Sequence, residues 1–223
     1  MKADSHVGFF CLVSIRYLWR MNKEAFFGSV RTSLFGGKLT QGVVDTLESI
    51  LATCDKYCIT DYRQRAYILA TARHESYSLD RNPEWLPVRE GWAKTNAGAI
   101  AAVTALYKSG GISKNYALPE ANGKSYYGRG FVQITHGGNY KSVGKRLGIA
   151  LYNNPDLALN RSTASEILVV GMKEGIFTGR KLSQYFTEKD TENVEARRII
   201  NGKDQAERIA SLAEKFYIAL ILK

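Results

Sequence analysis

Three glutamates stand in a stretch of chain whose residue types suit acid–base chemistry. Glu75 closes the helix-forming segment YRQRAYILATARHE, and Glu84 and Glu90 follow in an irregular segment that holds Pro83 and Pro87. A carboxyl at the end of an apolar helix is partly desolvated. Desolvation disfavours the charged form and suits such a group to donate a proton near neutrality. A second carboxylate that activates water would complete the pair that glycosidic hydrolysis needs. Most glutamates are solvated surface charges, so residue type and neighbourhood alone make these three candidates and no more.

The other signatures of chemistry are missing. No phosphate-binding glycine loop, dinucleotide fingerprint, HExxH, GxSxG or EF-hand pattern occurs. The three cysteines, at positions 11, 54 and 58, define no disulfide framework. Cys54 and Cys58 are expected to share one face of a helix as small apolar residues. With His6, His74 and His136 they form no recognisable set of metal ligands.

The chain has 223 residues, 45% of them apolar and 23% charged, which excludes collagen, coiled-coil arrays and wholesale disorder. The net charge of +10 favours an anionic partner. The basic residues are spread over both halves without a stripe or tail, which argues against nucleic acid. Val7–Ile15 forms a nine-residue apolar run, too short to span a bilayer as a helix, so no stable membrane insertion is expected. Residues 1–20 read as a dispensable leader or over-called start, with an export or anchor signal as the alternative. Residues 21–223 read as one domain.

The elements that must position the glutamates are mostly helical. Residues 40–57 carry apolar residues at helical spacing behind Thr40 as N-cap, and Asp61 precedes a helix over 62–75. Residues 94–109 predict a small-residue helix stopped by Gly110 and Gly111. Helices are also expected over about 139–147, 162–174 and 204–221, the last with Asp204 and Glu207 as a capping box. Between them Phe131–Thr135 has the bias of a short strand, bracketed by glycine turns. The fold class expected is mainly α (α+β), with a small β element in the middle.

The stretch YYGRGFVQITHGGNY (126–140), followed by NNPDLAL, EGIFTGRKL and ARRIINGKD, resembles the pattern of glycoside hydrolase family 19. ILATARHES resembles that family's helix with the catalytic glutamate, and the likeness runs from about residue 40 to 221. The family holds plant chitinases and many bacteriophage endolysins, and this sequence is more similar to the compact phage and prophage branch. The resemblance implies a lysozyme-like fold and hydrolysis with inversion. It makes Glu75 the general acid and, through WLPVRE, Glu90 the base, with Glu84 as the alternative base. It gives Thr135 the attacking water to hold. Gln133, Asn139 and Asn201 fall at sugar- or water-binding positions, and Arg208 corresponds to an arginine near the acid. Tyr127, with Tyr126 and Tyr140, would line the groove or pack in the interior. No metal or cofactor is implied.

The function expected is that of an endolysin, a monomer that hydrolyses β-1,4 bonds of peptidoglycan. It would be cytoplasmic until lysis and then act on the cell wall. A chitinase is the alternative. A non-catalytic wall-binding protein is the alternative of another class.

Overall fold

The computed structural model describes residues 21–223, so the run Val7–Ile15, Cys11 and the expected leader lie outside the described residues. The chain forms α1 (Lys23–Leu34), α2 (Gln41–Lys56), α3 (Tyr62–Ser76), β1 (Val88–Arg89), α4 (Asn96–Lys108), β2 (Arg129–Gly130), α5 (Gly137–Leu147), α6 (Arg161–Glu174) and α7 (Ala206–Ile221). Short 3₁₀ turns cover Glu90–Trp92, Pro155–Leu159, Leu182–Gln184 and Glu195–Ile199. This is the mainly helical architecture expected, with one small antiparallel pair.

The α3 helix is the axis of the fold. It buries every residue from Arg65 to Ala72, so it is surrounded rather than laid on a surface. It packs along α7, whose Ile209, Leu212, Ala213, Phe216 and Leu220 form the stripe that the spacing predicted. The α2 helix presents Val43, Leu47, Ile50, Leu51 and Cys54, and α6 lies against it. The caps follow the sequence: Thr40 accepts from the Val43 amide at 3.2 Å and Asp61 from the Arg63 amide at 2.8 Å.

A second, smaller cluster stands apart from this core. Ala99, Val103, Ala117 and Tyr127 pack beneath α4, with Ile100, Ile112 and Tyr116 at the margin. The chain therefore has a large helical core and a satellite under α4.

Several expectations change. The helix α1 had not been assigned. It starts at Asn22, which accepts from the Ala25 amide at 3.0 Å, and it buries Phe26, Val30 and Leu34. Phe131–Thr135 is no strand: the paired residues are Val88 with Gly130 and Arg89 with Arg129. Gln133 takes φ +53 and reverses the chain, so Arg129 and Ile134 exchange amide hydrogen bonds across a tight turn. The capping box at Asp204 does not form. Gln205 precedes α7 at φ +57 without a side-chain cap, and the Asp204 carbonyl is held by Arg197 at 3.0 Å. Cys58 lies past the end of α2 at φ +54, off the helical face. Cys54 is the small apolar residue expected, and burial pushes its thiol up to about 12.

Candidate active site

Glu75 sits one residue before the end of α3, with its side chain 19% exposed. Its surroundings are more polar than an apolar helix end would provide. Arg197, on the Glu195–Ile199 turn and only 4% exposed, donates from Nη1 to Glu75 Oε1 at 2.5 Å. The same guanidinium donates from Nε to the Asp204 carbonyl. One rigid fork thus orients the carboxylate and ties it to the start of α7. Asn201 follows this turn, its backbone amide donating to the Arg197 carbonyl at 3.1 Å, while its exposed side chain accepts from the Gly202 amide at 2.8 Å. The arginine at Glu75 is therefore Arg197 and not Arg208. Arg208 is exposed on α7, close enough to the half-buried His74 ring to help depress its pKa. Burial is the larger cause of that depression, and the ring's Nδ1 has no hydrogen-bond partner.

The chain between Glu75 and Glu90 is irregular yet firmly fastened. Trp85 is fully buried and donates from its indole to the Ser76 hydroxyl at 3.0 Å. Its ring meets Phe35, Tyr77 and Phe131. Its carbonyl accepts from Thr46 on α2. Asn82 spans the loop, donating to the carbonyls of Ser76 and Leu86 at 2.7 Å each. Glu84 belongs to this fastening: its Oε2 accepts from the Gly42 amide in the first turn of α2 at 3.0 Å. A methyl at Gly42 would come within 2.4 Å of that oxygen. The alternative base is thus a tether on a helix N-terminus, where a carboxylate is favoured.

Glu90 emerges at the end of β1. Its Oε2 accepts from the Gly128 amide at 2.7 Å, its Oε1 accepts from the Tyr116 hydroxyl, and its own amide donates to the Gly128 carbonyl at 2.8 Å. Burial and the carboxylate both raise the Tyr116 phenol, so that hydroxyl stays a donor across the ordinary pH range. Gln133 lies against the same glycine, 2.7 Å from where a Gly128 Cβ would stand. Its amide donates to the Val88 and Gly130 carbonyls at 3.1 and 3.2 Å, holding the β1–β2 end closed.

Thr135 and Asn139 are half-buried along the run that leads from this turn into α5. His136 between them is exposed at φ +65 and meets the Tyr116 ring edge-on at 5.1 Å. Tyr127 does not line a groove. It is fully buried in the satellite cluster, donates to Asn96 at 2.5 Å and carries the Arg129 guanidinium 3.6 Å above its ring. Arg129 in turn bonds Asp156 at 2.8 Å. Tyr126 and Tyr140 are buried as well, so the aromatic trio is packing.

The structure thus holds Glu75 with Arg197 at the end of α3, and Glu90 with Gly128, Gln133 and Tyr116 at the end of β1. Arg197 lies inside the ARRIINGKD stretch and Tyr116 inside an unassigned loop. Only the first had a sequence signal. Among the described residues no group of three or more His, Cys, Asp and Glu side chains could hold a metal ion.

Residues 87–172, which include Glu90, Gly128, Gln133, Thr135 and Asn139, match the family model described as chitinase class I, Glyco_hydro_19. Over this segment the chain is similar to glycoside hydrolase family 19. A basic endochitinase of Vitis vinifera is 32% identical to this chain over 111 residues, 48% of this chain and 32% of that protein. Endochitinase CH25 of Brassica napus is 39% identical over 75 residues, 31% of this chain and 23% of that protein. The matched stretch of this chain thus spans about a quarter to a third of the length of these plant relatives. The crystal structure of chitinase C from Streptomyces griseus HUT6037 shares the fold, with a TM-score of 0.53 and 18% identity over 90% of this chain and 76% of that one.

Proposed function

We propose that this protein is a family 19 glycoside hydrolase that cleaves β-1,4 bonds between N-acetylated sugars in a single displacement with inversion. Glu75 gives its proton to the leaving oxygen, oriented by Arg197. Glu90 takes a proton from a water as that water's oxygen bonds to the anomeric carbon from the opposite face, and the carbon–oxygen bond to the leaving sugar breaks. Thr135 holds the water. Asn139 and Asn201 offer both donors and acceptors, as sugar hydroxyls and acetamido groups require, and Gln133, whose amide hydrogens are taken by Val88 and Gly130, offers its oxygen as an acceptor.

The observation that carries the reading is the contrast between the two carboxylates. One is paired with a buried cation at a helix end. The other accepts neutral hydrogen bonds on both oxygens at a strand end, and a fastened loop joins them. Two carboxylates held in place by separate partners, at the two ends of one fastened loop, are the pair that an inverting hydrolysis uses.

The substrate we propose is peptidoglycan, as for a phage or prophage endolysin held in the cytoplasm until lysis. A net charge of +10 draws the protein to a wall rich in carboxylates and anionic polymers. Chitin is the second reading, favoured by the names of the plant relatives. The test sets clearing of outer-membrane-permeabilised bacteria beside hydrolysis of colloidal chitin, with Glu75→Gln as control. Clearing that vanishes in the variant while chitin stays intact supports the endolysin. Chitin hydrolysis without clearing moves the assignment to a chitinase. Activity on neither supports a wall-binding protein that kept the fold.

A further inference from the structure

Trp92 has no structural reason to be a tryptophan. It stands two residues beyond Glu90, in the left-handed region at φ +59, directly after Gly91 at φ +65. A bulky residue there is a genuine outlier, and such strain persists where the surroundings hold it, commonly at ligand clamps. The surroundings do hold it. A Cβ on Gly91 would come 2.8 Å from Ala102 on α4, and the Ala93 amide closes the turn onto the Glu90 carbonyl at 3.3 Å. Burial does not repay the strain. Trp92 is half-exposed and is neither part of the large core nor packed against the satellite. Trp85, by contrast, is also left-handed at φ +47, but it is fully buried and its indole is hydrogen-bonded.

We infer that the Trp92 indole is a stacking platform for the apolar face of an N-acetylhexosamine ring beside the bond that is cut. The inference rests on the glycosidase reading and adds a binding residue to it. Two peptide units separate Glu90 from Trp92, so their Cα atoms lie at most about 7.6 Å apart. An indole of this reach covers a sugar neighbouring the one at the base. An aromatic face offers a flat apolar surface with a negative potential, which suits the outward C–H bonds of a pyranose. A turn locked against α4 presents that surface ready-made, so little ordering is left for binding to supply.

The experiment uses the full chain carrying Glu75→Gln, so that nothing is hydrolysed. Calorimetry measures binding of the N-acetylglucosamine tetrasaccharide and of a peptide-free peptidoglycan tetrasaccharide. Trp92→Ala should weaken whichever sugar binds about tenfold, which is about 1.4 kcal/mol. Trp92→Phe, which keeps a flat ring, should weaken it about threefold or less. Trp92→Gly should bind as weakly as the alanine variant and melt at or above the parent's temperature, because glycine takes this backbone without strain. Unchanged affinity in Trp92→Ala overturns the inference and leaves the glycosidase reading intact. A melting point several degrees lower in Trp92→Gly makes the indole a packing residue and also overturns it. If the parent binds neither sugar, the glycosidase reading falls and takes the inference with it.

Discussion

The two sides of the candidate site are held by different physics. Glu75 sits on a fifteen-residue helix in the large core, oriented by one charged, nearly buried guanidinium. Glu90 sits at the end of a two-residue strand, held by a backbone amide and a phenol from a loop. The acid side depends on charge and on a helix that cannot move alone. The base side depends on neutral hydrogen bonds and on a satellite core with four buried members. An ion pair partly out of water costs much when one partner is lost, whereas a neutral hydrogen bond is worth about 1 kcal/mol net. Stability is therefore expected to concentrate on the acid side, and adjustability on the base side.

The sharpest break in this comparison is chemical. Glu75→Gln and Glu90→Gln should each lower turnover by about 10²–10⁴-fold, the usual worth of a general acid or base. A loss confined to one of them would leave the other outside the reaction. Their stabilities should then diverge. Glu75→Gln leaves the Arg197 charge without its counter-ion and should cost about 3 kcal/mol. Glu90→Gln keeps an acceptor for the Gly128 amide and should cost about 1 kcal/mol. Equal costs in urea titrations would erase the distinction.

Trp85→Ala should cost about 3–5 kcal/mol, the range for large core aromatics, because its burial fastens the loop between the carboxylates. A smaller cost would mean that Asn82 and Glu84 hold the loop without it. Tyr116→Phe removes one donor from Glu90 and should slow turnover about 3–30-fold while costing about 1 kcal/mol. A slowing with no change in the pH profile would count against its acting through Glu90.

The smallest effect concerns His74. Burial depresses its pKa below the ordinary 6.5, so the unfolded chain takes up the proton first. The stability this contributes is full above about pH 6.5 and is lost as the pH falls towards the depressed value, with a slope of at most about 1.4 kcal/mol per pH unit. Urea titrations at pH 5, 6 and 7.5 should show that slope in the parent and lose it in His74→Gln.

The frame of the acid side was legible because its signals are local. Thr40 and Asp61 are caps whose side chains act within three residues, and the apolar spacing of α2 and α7 predicts their buried faces. What was not legible is tertiary. Nothing near Asp204 announces that Arg197 will take its carbonyl and undo a capping box. The β-branched bias of Phe131–Thr135 reads as a strand, yet a left-handed Gln133 folds it back on itself. Tyr127 and Tyr116 differ little as sequence, and only packing sends the first into the interior and the second to Glu90. The resemblance pointed to Glu75 and Glu90, but it put Arg208 beside Glu75 where the structure places Arg197.

The loop from Tyr77 to Pro87 carries a further consequence, for anyone who wishes to splice new sequence into the molecule. Irregular segments ordinarily accept insertions. This one is anchored at Asn82, Glu84 and Trp85 to α2, to the end of α3 and to itself, so added residues would have to break an anchor or bulge between two. The exposed tip at Ala121–Gly123 is tied to the large core only through Asn122, which donates to the buried Tyr126 hydroxyl at 2.6 Å. A random-insertion library scored for folded protein should therefore be sparse over 77–87 and dense around 121–123. The carboxylate-to-carboxylate connection behaves as a fixed-length spacer, and the outer loop as a place for cargo.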